Sequence, residues 1–183
     1  IPLRLVGSEM CIRDRLKTIL IASTLYVATA HAAPFGAPSQ APEFTGIEKW
    51  LNSEPLSMQK LRGKVVLVDF WTYTCINCIR TLPYVKSWYD KYKDQGLTVV
   101  GVHTPEYPFE RSTENVSKAI QRFDIKYPVA QDNRYATWTA YSNQYWPAVY
   151  LINKKGQIVY THFGEGKYQE TEAKIRELLA EPN

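Results

Sequence analysis

Two cysteines separated by two residues, Cys75 and Cys78, are the side chains of this sequence best suited to chemistry. An apolar run ends just before them at Trp71, and a helical pattern begins just after them. On one helical turn the two sulfurs come within reach of a disulfide bond. The first sulfur then lies at the helix N-terminus, where free N–H groups and the helix dipole favour a thiolate. The spacing therefore predicts Cys75 as a nucleophile and Cys78 as the cysteine that resolves a mixed disulfide.

Other interpretations of the cysteine pair have to be weighed. A purely structural disulfide across so short a loop would restrict the unfolded chain little. A zinc site needs about four ligands, whereas beyond residue 32 the chain offers these two cysteines and two scattered histidines, His103 and His162. A copper site of both cysteines and one histidine stays open. We predict redox chemistry carried by the Cys75–Cys78 disulfide itself, with no metal and no dissociable cofactor, and a copper-binding redox chaperone as an alternative.

The elements that would position the pair follow from the hydrophobic pattern. Residues 65–71 form an apolar run interrupted only by Asp69, as in a strand buried on both faces of a sheet. A helical spacing follows over 80–95 and is closed by Gly96. The order of elements predicts an α/β fold, a mixed sheet with helices on both faces. The further predicted elements are an edge strand or hairpin over 50–56, strands at 97–102, 129, 148–152 and 157–163, and helices at 114–123, 134–141 and 171–179.

Asp69 is the supporting residue that says most about the chemistry. A carboxylate inside an apolar strand is costly unless it has a partner or a task. Burial should raise its pKa, which would let it take the proton of Cys78 while the mixed disulfide is resolved. The alternative is a structural aspartate paired with a lysine or a backbone donor.

Taken together, these residues resemble thioredoxin. A Val-Asp-Phe-Trp string ending at residue 71 precedes the Cys-x-x-Cys pair by three residues, and Pro83 follows the pair by five. The Trp146–Pro147 step before the run at 148–152 is similar to the cis proline that lies opposite the dithiol in this family. The resemblance covers residues 64–180. It implies catalytic roles for Asp69 and Pro147, and a backbone edge at Trp146 for an extended substrate peptide.

The sequence departs from plain thioredoxin in ways that point to one branch of that superfamily. The distance from Cys75 to Pro147 is longer, which leaves room for an inserted strand–helix unit at 104–127, and the dipeptide between the cysteines is Ile76-Asn77. The strings Trp-Thr-Tyr-Thr-Cys-Ile-Asn-Cys and Gly-Val-His-Thr-Pro-Glu resemble the TlpA/ResA-like branch, most closely the periplasmic domain of DipZ-type cytochrome c biogenesis proteins.

This resemblance implies further site residues. Relatives with such an insertion keep an acidic residue near the dithiol, which makes Glu106 a candidate for tuning it. The residues predicted to contact a substrate are Trp71, Tyr73, Ile76, Asn77 and Trp146, with the alternative that Trp71 and Tyr73, which flank the dithiol, simply pack.

The ends of the chain and its charge bear on location and partners. Residues 1–32 are predicted to be a signal peptide, because basic residues precede a 13-residue apolar run and an Ala-His-Ala site; roughly the first 12 residues resemble a translated adapter artefact. Residues 33–45 are predicted to be a flexible linker, and 46–183 a thioredoxin-like domain. The net charge of +4 is spread over the chain without a basic stripe, which argues against nucleic acid as a partner.

The function predicted from these residues is thiol–disulfide exchange outside the cytoplasm. The resemblance implies a periplasmic reductant of exported proteins such as apocytochrome c, supplied with electrons by a separate membrane protein. A disulfide oxidant or isomerase is the enzymatic alternative, because the direction of electron flow depends on the reduction potential.

Overall fold

The computed structural model describes residues 39–182, so the predicted signal peptide at 1–32 and residues 33–38 of the predicted linker lie outside the described residues. Within that described part, no helix is long and apolar enough to cross a membrane. The strands are β1 (Ser39–Gln40), β2 (Lys49–Leu51), β3 (Val65–Trp71), β4 (Leu97–His103), β5 (Val129–Gln131), β6 (Ala148–Ile152) and β7 (Gln157–Phe163). The α-helices are α1 (Ile76–Tyr92), α2 (Thr113–Arg122), α3 (Ala136–Ala140) and α4 (Tyr168–Ala180), with 3-10 turns at Lys93–Gln95 and Pro108–Arg111.

The strands form one mixed sheet in the spatial order β1-β7-β6-β3-β4-β5-β2. β3 lies at the centre, parallel to β4 and antiparallel to β6. β5 continues the parallel part, and the short strands β1 and β2 lie antiparallel at the two edges. The predicted α/β fold with a mixed sheet is confirmed.

The central strand β3 is buried on both faces, as its apolar run predicts. Side chains of a strand alternate between faces. Val65, Leu67 and Trp71 therefore join the core under α1, α2 and α4. Val66, Val68 and Phe70 face the opposite core, which α3 and the segment leading to β3 cover. Helices thus lie on both faces, and Asp69 falls on the α1 face.

Most of the predicted element bounds are close to the observed ones. The strands at 65–71, 148–152 and 157–163 are confirmed residue for residue, and Ser112 is the N-cap residue of α2. Two expectations are wrong. The inserted segment 104–127 holds a 3-10 turn and α2 but no strand, because the strand of the insertion, β5, begins only after residue 127. Leu56 lies outside any strand, so only 49–51 forms the predicted edge.

The predicted linker over 33–45 is wrong from residue 39 onward. Ser39–Gln40 pairs with β7, and Phe44 packs against the core on the α3 face. The carboxylate of Glu43 accepts the backbone N–H groups of Met58 and Gln59 at 2.8 and 2.9 Å. A two-residue edge strand is held by its backbone, so the Ala, Pro, Ser and Gln composition carries no signal for it.

Gly46→Ala tests whether the chain directly after this segment packs on α3. Gly46 has φ +64°, and an added Cβ would lie 2.5 Å from the Ala136 Cβ on α3. Backbone strain and overpacking together should lower the free energy of unfolding by about 2–4 kcal/mol in a denaturant titration. Gly63→Ala is the matched control, because Gly63 has φ +84° and no atom within 4 Å of the added Cβ. An equal loss in both variants would contradict the packing of residue 46 on α3.

Candidate active site

Cys75 and Cys78 form a disulfide at the start of α1, with their Cα atoms 5.2 Å apart. Cys75 is the N-cap residue of the helix, and its Sγ accepts the backbone N–H of Cys78 at 3.1 Å. Cys75 is half-buried, whereas Cys78 is 1% exposed. An external sulfur can therefore reach the Cys75 sulfur and not that of Cys78, and the helix N-terminus is placed to stabilise a Cys75 thiolate.

The Asp69 side chain lies in the middle of β3 on the face that carries Cys78. The carboxyl is buried, and its Oδ1 has no hydrogen-bond partner. Burial alone raises the pKa of Asp69 to about 7. No lysine forms an ion pair with it among residues 39–182, so the structure does not support the alternative of a salt-bridged structural aspartate.

The Trp146–Pro147 peptide bond is cis, as the resemblance to thioredoxin implies. Pro147 is buried, and β6 begins directly after it, with Ala148 opposite Phe70 of β3. This register brings the proline to the same end of the sheet as the segment that leads into the dithiol. The half-buried Trp146 donates its Nε1–H to the Thr104 carbonyl at 3.1 Å.

Comparison with known proteins agrees with this geometry. The sequence profile of the Redoxin family matches residues 37–179. The chain belongs to the Redoxin family. A solved structure of a thioredoxin-like protein in the oxidized form superposes with a TM-score of 0.72 at 32% identity, covering 80% of this chain and 98% of that one. The thioredoxin fold is therefore confirmed.

Two curated relatives of this Redoxin chain are especially similar. DipZ of Mycobacterium bovis is 52% identical over 151 residues, which cover 81% of this chain but only 22% of DipZ. The thiol-disulfide oxidoreductase YkuV of Bacillus subtilis is 34% identical over 140 residues, 76% of this chain and 94% of YkuV. With the Cys75–Cys78 pair in place, this Redoxin domain is a thioredoxin-like thiol–disulfide oxidoreductase.

The acidic residue bound to the dithiol segment of this Redoxin domain is Glu110, not the predicted Glu106. Glu110 is fully buried, and its carboxylate accepts the Thr74 hydroxyl at 2.5 Å and the N–H groups of Glu106 and Tyr107 at 2.6 and 2.9 Å. Burial would raise the pKa of Glu110, but these hydrogen bonds outweigh it and lower the pKa. The side chain of Glu106 itself is exposed. The signal for Glu110 is its third position after Tyr107 in a Pro-started turn, a capping-box pattern.

His103 supports the same segment from β4. Its Nε2 lies 3.2 Å from the Thr72 hydroxyl, and its ring stacks on that of Tyr73 with centroids 5.5 Å apart. Burial lowers the pKa of His103 to about 4, so the ring is neutral at pH 7. Thr72, Tyr73 and Thr74 are thus all held by neighbours before the chain reaches Cys75.

Of the predicted substrate-contacting residues, Ile76 and Asn77 are exposed, Tyr73 and Trp146 are half-buried, and Trp71 is fully buried. The prediction for Trp71 is wrong. Its side chain follows the alternation of β3 into the core, where it packs edge-on against His103 at 5.4 Å. Trp71 therefore cannot contact a substrate without unfolding the strand end.

Sequence reasoning missed four exposed aromatic residues, which lie next to the predicted Tyr73 or next to the start of β6. Tyr107 and Phe109 stack with centroids 5.6 Å apart, and the Tyr73 hydroxyl donates to the Phe109 carbonyl at 3.2 Å. On the other side, Tyr145 lies 5.4 Å from Phe163. We call these five residues the aromatic rim: Tyr73, Tyr107, Phe109, Tyr145 and Phe163.

Metal ligation finds little support in the described residues. Between residues 39 and 182, no group of three or more His, Cys, Asp or Glu side chains could hold a metal ion. His103 is buried against Thr72, and His162 lies on β7 beside the Glu165 carbonyl.

Asp69→Asn should remove the pH-dependent loss of folding stability that the buried carboxyl causes in wild type. The folded state keeps the Asp69 proton up to about pH 7, whereas the unfolded chain releases it near the ordinary value of 3.8. Because the unfolded state binds fewer protons in this range, wild-type stability falls as the pH rises through it. Relative to wild type, the variant should gain about 3 kcal/mol in free energy of unfolding between pH 5 and 8.5.

Denaturant unfolding of the oxidised proteins at both pH values measures this gain. Asp90→Asn, at an exposed position of α1, controls for the loss of a charge. If the stability difference between Asp69→Asn and wild type is the same at both pH values, the buried carboxyl does not titrate as described.

Glu110→Gln should loosen the dithiol segment, because one amide oxygen cannot replace a carboxylate that accepts three hydrogen bonds. We expect a loss of about 1–3 kcal/mol in urea unfolding. Glu106→Gln, which leaves its backbone N–H in place, should stay within about 0.5 kcal/mol of wild type. A larger loss in Glu106→Gln than in Glu110→Gln would restore Glu106 as the important acid.

Proposed function

We propose that this Redoxin domain is an exported reductant that transfers two electrons from the Cys75–Cys78 dithiol to disulfides of other extracytoplasmic proteins. The observation that carries the proposal is one arrangement of three groups. A reachable Cys75 sulfur lies at a helix N-terminus, with a buried Cys78 behind it and a buried carboxyl without a partner, Asp69, on the same face.

The reaction takes two steps. The Cys75 thiolate attacks one sulfur of the client disulfide, so that a mixed disulfide forms and one client thiolate leaves. Cys78 then passes its proton to Asp69, and its thiolate attacks the Cys75 sulfur. The Cys75–Cys78 disulfide forms, the second client thiolate leaves, and the two client thiolates take their protons from water. The dithiol loses two electrons and the client disulfide gains them.

Asp69 suits the role of base in the second step. A general base works best when its pKa lies near the operating pH, and burial raises that of Asp69 to about 7. The position of the carboxyl on the Cys78 face gives it access to the sulfur that an external base cannot reach. We assign Glu106 no catalytic role, and Glu110 a positioning role through Thr74.

A client peptide would bind between the cis proline and the aromatic rim. An extended segment can pair with the backbone of Trp146 next to Pro147. Exposed apolar patches of this kind mark interaction sites, and Ile76, 58% exposed beside the reactive sulfur, is part of the patch. Pro147 would at the same time cover the thiolate against metals.

Export, clients and electron donor rest on resemblance and on the N-terminal sequence. Residues 1–32 read as a secretory leader, which would place the domain in the periplasm or an equivalent oxidising compartment. The similarity to DipZ, and the resemblance to DipZ-type cytochrome c biogenesis proteins, favour apocytochrome c as the client. Electrons would come from a separate membrane protein.

The midpoint potential of the dithiol tests the direction of electron flow. Equilibration with glutathione buffers, read by tryptophan fluorescence, should give a potential well below that of known oxidants. A value above about −150 mV would instead identify an oxidant. Tight stoichiometric uptake of copper by the reduced protein would favour the copper chaperone.

Substitution of each cysteine separates the two steps. Cys75→Ser should abolish reduction of an insulin disulfide, because no reachable thiolate is left. Cys78→Ser should form mixed disulfides that persist, because the resolving thiol is missing. Mass spectrometry of the species trapped in periplasmic extract would then identify the clients; if Cys78→Ser traps nothing, Cys75 is not the attacking group.

A further inference from the structure

Three buried polar atoms that have no hydrogen-bond partner among residues 39–182 lie on the side of the sheet that carries Cys78: Asp69 Oδ1, Trp71 Nε1 and the Tyr127 hydroxyl. All three side chains are at most 1% exposed. Trp71 and Tyr127 belong to the core under α1, and Asp69 lies in β3, the strand beneath that core. Leaving such groups unpaired inside a protein lowers its stability. A cluster of them beside the proposed base therefore needs a reason.

Gly101 makes room for this cluster. It lies directly opposite Asp69 in the β3–β4 register. A Cβ on Gly101 would meet Trp71 Nε1 at 3.0 Å and Tyr127 Cε2 at 3.0 Å. The indole and phenol rings therefore use the space that glycine leaves beside the carboxyl, which brings both close to Asp69 and to each other.

The three groups have complementary hydrogen-bonding roles. The carboxylate only accepts, the indole N–H only donates, and the hydroxyl does both. Burial, and next the nearby charge of Asp69, raises the pKa of Tyr127 well above its ordinary value, so its hydroxyl keeps its proton. One water placed among the three would have the several polar partners that a buried water requires.

Tyr127 also borders a surface cleft, although its side chain and its hydroxyl are buried. With Tyr89 of α1, whose ring lies 5.9 Å from it, Tyr127 lines a narrow cleft between α1 and the segment before β5. The other lining residues are charged: Lys86, Asp90, Asp124 and Lys126. The ring of Tyr127 thus stands between the buried carboxyl and a cleft whose charged side chains reach solvent.

We propose that Tyr127 is a positioning residue for Asp69: together with Trp71 Nε1 and one shared water, its hydroxyl stabilises the ionised carboxylate. The proposal rests on the proposed function, because it gives the base of the second step its hydrogen-bond partners. Asp69 keeps the proton that it receives from Cys78 until the disulfide is reduced again and the Cys78 thiolate takes the proton back. The oxygen of Tyr127 is neutral before and after the transfer.

The other ionisable groups that face this cluster are accounted for. Cys78 lies above it on α1 and does not ionise in the oxidised protein. His103, which packs against Trp71, is neutral at pH 7 because burial lowers its pKa to about 4. In the cleft, Lys126 pairs with Asp124 at 2.6 Å, and Lys86 donates to the Phe123 carbonyl at 2.7 Å. The exposed Asp90 is the remaining lining charge.

The indole N–H signals of the oxidised wild-type protein give the first test. In ¹⁵N–¹H NMR spectra from pH 5 to 9, the Trp71 signal should shift with a midpoint near pH 7 as Asp69 ionises. Trp146 is the internal control, because its Nε1–H is bonded to the Thr104 carbonyl and should not follow that midpoint. A Trp71 signal that does not titrate, or a Trp146 signal that titrates in the same way, would overturn the proposal.

Tyr127→Phe gives the second test. The reduced protein reacts with 5,5′-dithiobis(2-nitrobenzoate), whose first released chromophore reports attack by Cys75 and whose second reports resolution by Cys78. The variant should leave the first release unchanged. Its second release should have a pH midpoint higher by about one unit, and so be about tenfold slower below that midpoint.

Tyr141→Phe is the matched control, because Tyr141 also has a buried hydroxyl without a partner but lies in the core on the opposite face of the sheet. A pH profile of Tyr127→Phe that coincides with wild type, or an equal shift in Tyr141→Phe, would refute the role of Tyr127. If wild type shows no second release at any pH, the proposed function fails instead, and the NMR titration still decides the cluster. That titration needs no variant and therefore stands even if Tyr127→Phe does not fold.

Discussion

The burial of one carboxyl group in the central strand is the constraint on which the rest of the site depends. β3 has a packed core on each face, so strand alternation leaves Asp69 only one direction, toward α1. The same alternation places the Trp71 side chain in that core. The strand ends at this residue, and the chain continues from Thr72 into the helix that carries both cysteines. A charge desolvated in this way has a strongly raised pKa. Asp69 and Cys78, the proposed base and the proposed resolving cysteine, are thus brought to one face by the geometry of a single strand.

The dithiol is held in place by loops from three neighbouring strands. One end of the sheet brings together the ends of β3 and β4 and the start of β6, because β3 is parallel to β4 and antiparallel to β6. Side chains then connect the loops: Glu110 accepts the Thr74 hydroxyl, and Trp146 donates to the Thr104 carbonyl. The segment 104–111 therefore connects the cysteine segment to the cis proline. Its exposed aromatic residues belong to the proposed client surface, so one segment both positions the dithiol and forms part of that surface.

Sequence reasoning succeeded where a pattern is set by continuous burial and failed where a contact joins distant segments. The apolar runs of β3, β6 and β7 fixed their ends, and the Cys-x-x-Cys spacing fixed the start of α1. Ser39–Gln40 could not be found, because a short edge strand is held by backbone groups that every sequence has. Glu110 was passed over for Glu106, since which of two nearby acids turns inward depends on where Thr74 lies in space. Trp71 was predicted to contact a substrate because it flanks the dithiol segment. The burial of β3 on both faces, however, extends to this last residue of the strand.

The two buried carboxyl groups near the dithiol differ in their hydrogen-bond partners and in their depth. Both side chains are at most 1% exposed, but Asp69 lies deeper in the protein, and the hydrogen bonds to Glu110 outweigh its burial and lower its pKa. Asp69 has an oxygen with no donor, and its pKa rises to about 7. A carboxylate whose charge is fully hydrogen-bonded keeps that charge throughout a reaction and so can only hold structure. A carboxylate whose charge is poorly supported exchanges a proton near neutral pH. Environments that push the pKa values of two similar groups apart assign different tasks to them: Glu110 holds the segment before Cys75 through Thr74, and Asp69 is suited to the proton transfer proposed for Cys78.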